Sequence, residues 1–253
     1  MGKWMQIVLP FILLTASVPA ANGSGSTKTE LLIVSSLHTA HIGHPTFDYD
    51  DLFSLVRDFE PEYVGVEIRP EDIGMSRDYL SSNYPREMIE LAFQYQENAF
   101  GVDWLGHEIA GTFIPESYWK DLRVTKLSVE LAKDEAVMAR KPNQIALMEQ
   151  EQSQIIATAT PSSLADGRYG ALCRQIDELE RDWLTGSIYE EIFAFNQRRD
   201  EEIARNLLRF LDSHRGSRII VVLGADHRTF AVQAVVERFA ETIELVNVPE
   251  IHD

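Results

Sequence analysis

The sequence is poor in cysteine: its 253 residues include one, Cys173. A single cysteine excludes a disulfide bond within the chain and a zinc site built from several cysteines. Since 45% of the residues are hydrophobic, the chain is long and apolar enough for one sizeable domain. Its stability must therefore come from the packing of a hydrophobic core.

Basic residues are also scarce. The chain has 23 lysine and arginine residues against 40 aspartate and glutamate residues, which gives a formal net charge of −17. Such a surface repels nucleic acid and anionic lipid. We therefore expect no nucleic-acid partner, and a neutral or cationic peptide or small molecule as substrate. An acidity that serves only solubility would explain the same composition.

The N-terminal apolar stretch is too short to predict a membrane-spanning helix. It covers residues 7–18, is interrupted by Pro10, and falls short of the roughly 20 residues that a span needs. Lys3 precedes it and small residues follow, which is the pattern of a cleaved signal peptide over residues 1–23. We expect an exported protein, periplasmic or secreted, without stable membrane insertion; an uncleaved anchor is the alternative.

Cleavage would leave a mature chain that begins with residues 24–29, a small polar segment that we expect to be flexible. We expect residues 30–253 to form a single domain. Because residues 1–23 contain one lysine and no acidic residue, the formal charge changes from −17 for the whole chain to −18 for the mature one. The sequence does not indicate the oligomeric state.

Five short apolar runs recur along the chain at wide spacing. They are rich in Val and Ile and do not alternate with polar residues, which is typical of strands buried on both faces of a parallel sheet. Helical patterns separate them, so the predicted fold is α/β, with a largely parallel central sheet flanked by helices. The five runs are residues 31–34, 63–66, 99–102, 219–223 and 243–248.

Residues 115–213 differ from the rest of the chain because they contain no convincing strand. Helix-start patterns occur at Pro115, Pro142 and Ser187. We therefore predict a long all-helical insertion between the third and fourth strands. The strands on either side of it must pair with each other to be buried, which keeps the insertion within one domain.

Four of the predicted strands end on residues that bind metals or move protons. The first leads into S-S-L-H, ending at His38, and the fourth into G-A-D-H, ending at His227. The second ends at Glu67 and the third at Asp103. Ligands of open α/β sheets collect at the carboxyl ends of the strands, so we expect these side chains to lie near one another.

Two imidazoles and one carboxylate suit a divalent transition metal with an open position for water, whereas calcium prefers oxygen ligands alone. The expected ligands are His38, Glu67 and His227. Ser35 and Gly224 each stand three residues before a histidine, where the chain must turn sharply off its strand.

Other interpretations remain for the neighbouring residues. Asp103 is equally well explained as a helix N-cap, and His227 as a structural histidine. His41 and His44 suit polar loop residues, and alternatively ligands of a cofactor such as haem. Arg199 falls on the apolar stripe of a predicted helix, so it should pair with a carboxylate, bind an anionic group, or extend its head out to solvent.

With these residues assembled, the sequence resembles the TraB/PrgY/GumN/TIKI family, in a superfamily with erythromycin esterases and haem-binding ChaN proteins. The resemblance rests on S-S-L-H with the following V-G-V-E, on R-R-D-E-E-I at 198–203, and on V-V-L-G-A-D-H at 221–227. It implies metal ligands at His38, Glu67 and His227, with Arg199 in the arginine pair of the family. Ser35 stands where the family has glycine.

The resemblance implies a metal-dependent hydrolase of peptide or other amide or ester bonds, with Mn, Co or Zn as the ion. In this hypothesis Glu67 holds the ion, Arg199 stabilises the oxyanion or anchors a substrate carboxylate, and Asp103 or His41 is the general base. The alternative is a non-catalytic protein that binds haem or another small ligand through His41 and His44. A third interpretation is a catalytically dead interaction domain, if Ser35 disables the first motif.

Overall fold

The computed structural model describes residues 28–250. Its centre is a five-stranded sheet in which every pairing is parallel, in the order β3-β2-β4-β1-β5. The predicted α/β class is thereby confirmed. The strands are β1 Thr29–Ser36, β2 Tyr63–Val66, β3 Ala99–Gly101, β4 Arg218–Gly224 and β5 Ile243–Leu245.

The sheet is buried on both faces, which explains why its strands do not alternate in sequence. On one face, Leu32 and Val34 of β1 pack with α1 and α3, while on the other Leu31 and Ile33 pack with α10 and α11. The bounds of these and the other helices are α1 Tyr49–Asp58, α2 Arg77–Ser81, α3 Arg86–Tyr95, α4 Tyr118–Asp121, α5 Arg123–Leu131, α6 Glu135–Met138, α7 Asn143–Ala157, α8 Pro161–Ala165, α9 Arg168–Leu184, α10 Glu190–Ser213 and α11 Ala225–Phe239.

The predicted helical insertion is confirmed, because α4–α10 lie between β3 and β4. Local sequence sets several helix starts. The Asp48 side chain accepts hydrogen bonds from the backbone N–H groups at the start of α1, and Pro85 and Pro142 immediately precede α3 and α7. The insertion has a small apolar cluster of its own, formed by Leu127, Val137, Leu184 and Tyr189.

Two adjacent strands bring the histidine segments together. β1 and β4 pair in register along their whole length, with Ser36 opposite Gly224, and β4 also pairs with β2. The carboxyl ends of β1, β4 and β2 are therefore neighbours at one edge of the sheet. Strand β1 begins at Thr29, one residue before the predicted boundary of the domain.

Within residues 28–250, no helix has the length and apolar character that crossing a bilayer requires. The predicted signal peptide, residues 1–23, lies outside the described residues. So does most of the predicted flexible segment 24–29.

Candidate functional site

The carboxyl ends of β1, β2 and β4 bring His38, Glu67 and His227 together around the Glu67 carboxylate. His38 Nε2 lies 4.0 Å from Glu67 Oε2, and His227 Nε2 lies 3.6 Å from Glu67 Oε1. Arg199 reaches the same carboxylate from α10, with Nη2 2.8 Å from Oε1. We call these four residues the centre.

Glu67 is buried, and both of its oxygens accept hydrogen bonds. The Gly224 N–H donates to Oε2 at 2.6 Å, and Arg199 donates to Oε1. Burial by itself would raise the pKa of Glu67, but the positive charges of His227 and Arg199 outweigh it and lower that pKa to about 2. Glu67 is therefore a carboxylate across the physiological pH range.

Each histidine of the centre is held by a second carboxylate. His38 Nδ1 donates to Glu87 Oε1 at 2.7 Å, and His227 Nδ1 donates to Asp200 Oδ1 at 2.6 Å. A proton on Nδ1 leaves Nε2 as the nitrogen that faces Glu67. This is the arrangement in which a carboxylate fixes the orientation and tautomer of a metal-binding or proton-accepting imidazole.

The carboxylates also shift the pKa values of both histidines. Burial lowers the pKa of His38, but the hydrogen bond that His38 donates to Glu87 and the charge of Glu67 raise it further than burial lowers it. The pKa of His227 is likewise raised, because Glu67 and Asp200 outweigh its burial. The site thus favours positive charge between its carboxylates.

The backbone at His38 has a left-handed conformation, with φ of 50°. Such a φ is uncommon outside glycine and costs free energy unless the surroundings fix it. Here the His38 N–H donates to Ser36 Oγ at 3.0 Å, and the Tyr49 hydroxyl donates to the His38 carbonyl at 3.0 Å. These contacts hold the imidazole over Glu67.

Gly224 allows the centre to be this compact. A Cβ at this position would stand 2.6 Å from His38 Nε2 and 3.2 Å from Glu67 Oε2. The residue opposite Gly224 on β1 is Ser36 rather than Ser35. Ser36 Oγ donates to Glu87 Oε1 at 2.7 Å, so Ser36 holds the Glu87 carboxylate in place behind His38.

Arg199 pairs with carboxylates, as one of the interpretations of its position on the apolar stripe requires. Its Nε and Nη2 donate to the two oxygens of Asp103 at 2.8 and 3.1 Å, in addition to the bond to Glu67. Asp103 is buried, and its Oδ1 also accepts from the Trp104 N–H. The structure therefore places Asp103 behind Arg199, with both of its oxygens engaged.

His41 and His44 are not part of the centre. His41 is fully buried; its Nδ1 donates to the Phe47 carbonyl at 2.7 Å, its Nε2 accepts from the Leu37 N–H at 2.9 Å, and burial lowers its pKa. His44 Nε2 donates to the Ile156 carbonyl at 2.8 Å, and its Nδ1 accepts from the Phe47 N–H at 3.1 Å. Both rings are thus engaged at both nitrogens by the backbone.

Comparison with models of protein families, with curated proteins and with solved structures found no match. The resemblance to the TraB/PrgY/GumN/TIKI family therefore rests on the short motifs around His38, Glu67, Arg199 and His227. What this chain does must be argued from the geometry of the centre.

Glu87 and Asp200 were not predicted from the sequence. Asp200 could have been predicted from the sequence, because it directly follows Arg199 in the R-R-D segment. No sequence feature pointed to Glu87, because an acidic residue in the first turn of a helix is common and interacts favourably with the helix dipole. Its burial and its contact with His38 depend on how α3 packs on the sheet.

The side chains of the centre match the ligand types of a divalent ion better than they match its ligand spacing. Among residues 28–250, no group of three or more His, Cys, Asp or Glu side chains has the arrangement of a metal site. The distances of 4.0 and 3.6 Å from the imidazoles to Glu67 exceed the roughly 3.3 Å between two donors that share a tetrahedral zinc. Two carboxylate-held imidazoles that face one carboxylate are suitable ligand types for a divalent ion. The distances between these ligand atoms are longer than those around a bound zinc ion.

The centre opens into a cavity of about 360 Å³. Arg199, Asp200 and His227 are among the residues that line it, and other side chains from α7, α9, α10 and α11 complete the wall. The β1 side of the centre is also accessible, since 35% of the His38 side chain is exposed. A small molecule or a segment of a peptide can therefore reach the imidazoles.

Proposed function

We propose that the chain is an exported hydrolase of peptide or other amide or ester bonds, with its reaction at the centre. The observation that carries this proposal is the pair of imidazoles, each held at Nδ1 by a carboxylate, whose Nε2 atoms face the single carboxylate of Glu67. The resemblance to the TraB/PrgY/GumN/TIKI family supports the same reaction class.

His38, Glu67 and His227 would hold the divalent ion, which is Mn, Co or Zn in this proposal. Such an ion lowers the pKa of a bound water molecule and polarises a carbonyl group. Glu87 and Asp200 keep both Nε2 atoms directed at Glu67, and the pKa of about 2 keeps Glu67 ionised. The protein thereby supplies a pre-oriented set of donors.

Arg199 has two roles in this proposal. It fixes the Glu67 carboxylate through Nη2, and it lines the cavity, where its positive charge would stabilise a developing oxyanion or attract a substrate carboxylate. Asp103 and His41, considered above as general bases, have their polar atoms engaged by Arg199 and the backbone. The imidazoles of the centre are better placed to accept a proton.

The test combines elemental analysis with hydrolysis of a panel of fluorogenic peptides and esters, with and without added Mn, Co and Zn. Wild type should contain about one ion per site, and the His38→Ala, His227→Ala double variant should lose both ion and activity. The His107→Ala variant, which removes an exposed imidazole, is the control. Equal metal content and equal hydrolysis in wild type and double variant would reject the proposal.

Chelation separates two forms of the same proposal. If hydrolysis is lost with EDTA and restored by one of the three ions, the ion is required. Hydrolysis that survives EDTA would instead assign water activation to the carboxylate-held imidazoles, which act as general bases in hydrolases without metal. The wide spacing of the donors makes this arm of the experiment informative.

Haem or small-ligand binding without catalysis is the second candidate. It has less support, because the backbone engages both nitrogens of His41 and of His44. The discriminating measurement is an absorption spectrum with added haem. A Soret shift that disappears in His41→Ala or His44→Ala would favour haem binding over hydrolysis.

Export is proposed from the N-terminal segment alone. The expected outcome is a mature protein whose first residue lies just after position 23, measured by N-terminal sequencing of protein recovered outside the cytoplasm. An intact N-terminus on a membrane-bound form would favour the uncleaved anchor.

A further inference from the structure

A second cavity lies on the β3 side of the centre. Its volume is about 570 Å³, and its walls come from the segment that follows β3 and from α4, α5 and α10. It shares no lining residue with the cavity that opens at His227. Its size is that of a pocket for a small ligand or a large side chain. We call it the β3-side cavity.

Two aromatic side chains form the wall of the β3-side cavity next to the centre. Trp104 directly follows Asp103, and its N–H donates to Asp103 Oδ1 at 2.7 Å. Phe195 lies four residues before Arg199 on α10, and side chains at this spacing are neighbours on one face of a helix. The centroids of the two rings are 5.6 Å apart. Because Arg199 donates to both oxygens of Asp103, the aromatic pair borders the Arg199 side of the centre.

The surface of the β3-side cavity is mostly apolar. Ile109, Leu122 and Val124 contribute to its walls together with the aromatic pair. An apolar side chain that leaves water for such a surface gains free energy in proportion to the area that it buries. An aromatic ring gains further from edge-to-face or offset contact with other rings.

The charged side chains of the lining are mostly neutralised. Arg123 forms two hydrogen bonds with the Glu191 carboxylate, at 2.6 and 2.8 Å, and Arg198 pairs with glutamates of its own helix. The lining has a single acidic residue without an ion pair in the described part of the chain, Glu108. A neutral occupant therefore suits the cavity, and a lysine side chain beside Glu108 is the competing one.

We propose that the β3-side cavity selects substrates with a large neutral side chain, aromatic above all, next to the bond to be cleaved. That side chain packs against Trp104 and Phe195, and the reacting bond lies at the centre beside Arg199. The placement of the bond rests on the proposed function. Trp104 and Phe195 are accordingly specificity-determining residues.

Binding is the primary test, because it does not require turnover. Three acetylated and amidated tripeptides that differ only in a central Phe, Ala or Lys are titrated against the full protein by calorimetry. Wild type should bind the Phe peptide about tenfold more tightly than the Ala peptide. Tightest binding of the Lys peptide would mean that acidic groups select the substrate, and would overturn the inference.

A variant that fills the cavity locates the binding. Ala194 is an exposed residue of α10 that lines the β3-side cavity, so Ala194→Trp occupies the space without disturbing the core. The affinity ratio of the Phe and Ala peptides should fall from about ten to about one. Ala146→Trp, at an exposed position of α7 outside this cavity, is the matched control and should keep the ratio. A ratio that survives Ala194→Trp, or that Ala146→Trp also abolishes, would contradict the assignment.

Hydrolysis of fluorogenic forms of the same peptides separates this inference from the proposed function. A preference for the Phe peptide that Ala194→Trp abolishes, without cleavage of any peptide, would reject the proposed function and leave the cavity assignment standing. Cleavage of the Phe and Ala peptides with equal kcat/KM would do the reverse.

A second copy of the chain is another possible occupant of an apolar cavity, and sedimentation velocity detects it. The inference predicts the same sedimentation coefficient for wild type and Ala194→Trp. A wild-type dimer that dissociates in Ala194→Trp would assign the cavity to the dimer interface and overturn the inference.

Discussion

The ends of β1 and β4 deliver a histidine to the same carboxylate by different backbone routes. From β4 the chain passes directly into α11, and His227 lies in the first turn of that helix. From β1 it enters a short 3-10 turn, and His38 takes a left-handed backbone conformation. At His227 the backbone has ordinary right-handed helical geometry, continued by the rest of α11, whereas the turn at His38 depends on side chains to hold its shape.

The carboxylates that support the two histidines also differ, in how deeply they are buried. Glu87, behind His38, is completely buried, and its Oε2 has no hydrogen-bond partner among the described residues. Asp200, behind His227, has a side chain that is 16% exposed, so water can replace a lost contact. Loss of the supporting carboxylate should therefore destabilise the protein more at the β1 end than at the β4 end. At the β4 end, a larger side chain in place of glycine should be the more damaging change.

Gly224→Ala should have the largest effect on stability, because the added methyl group would meet His38 and Glu67 at the point where the two ends approach. We expect a loss of about 3 kcal/mol in the free energy of unfolding, with loss of hydrolysis. Urea unfolding followed by circular dichroism measures the first quantity. A variant as stable and as active as wild type would show that the ends need not approach so closely.

Glu87→Ala should cost more than Asp200→Ala. The first leaves the Ser36 hydroxyl and His38 Nδ1 without their buried acceptor, at about 2 kcal/mol, while the second should cost about 1 kcal/mol because solvent reaches the site. The comparison uses the free energy of unfolding of the two variants, measured side by side. Equal costs would mean that the two ends are equally dependent on their carboxylates.

Ser36→Ala and Ser35→Ala separate the two serines before His38. Ser36 donates to Glu87 and accepts from the His38 N–H, so its removal should cost about 1 kcal/mol and lower activity. Ser35 lies opposite Leu223 on the other face, and its change to alanine should cost less than about 0.5 kcal/mol. If Ser35→Ala were the more damaging change, the register-based assignment would be wrong.

The smallest effect concerns pH. In metal-free protein, the raised pKa values of His38 and His227 contribute stability that is fully present below pH 6.5 and is lost as the pH rises through the raised values. The lowered pKa values of Glu67 and Glu87 contribute stability that is present above pH 4.5 and lost in acid. The melting temperature should therefore be highest between these limits.

Substitution of each histidine in turn compares how much the β1 and β4 ends contribute to this pH dependence. His227→Gln should remove more of the decline above pH 6.5 than His38→Gln, because the His227 side chain is less exposed, at 17% against 35%. Melting curves in EDTA at several pH values provide the measurement. A decline that is unchanged in both variants would assign it to groups outside the centre.

The layered fold was predictable because burial on both faces leaves a strong mark in sequence. Each predicted strand is found, within a few residues of its bounds, and the helical segment lies where residues without strand patterns predicted it. Of the helix starts predicted in that segment, Pro142 immediately precedes α7 and Ser187 lies three residues before α10, whereas the bounds of the other helices required the structure. Strand order also required the structure, since β4 enters the sheet between β1 and β2.

The sequence allowed prediction of those residues of the centre that follow the ends of strands. His38, Glu67, Arg199 and His227 meet, because parallel strands present their carboxyl ends at one edge. Counting back three residues from each histidine made Ser35 the counterpart of Gly224. In the sheet, however, Ser36 is the residue of β1 that lies opposite Gly224. The left-handed turn reaches its histidine in two residues and the helix in three, a difference that sequence spacing does not show.

The position of β4 also bears on how the protein is made. This strand begins at residue 218 and is the one that joins β1 to β2, so most of the chain must be synthesised before the sheet can close. Until then the apolar strands near the N-terminus have no central partner, and their pairing waits for contacts of long sequence separation. On the ribosome, the sheet of this protein could therefore close only late in translation.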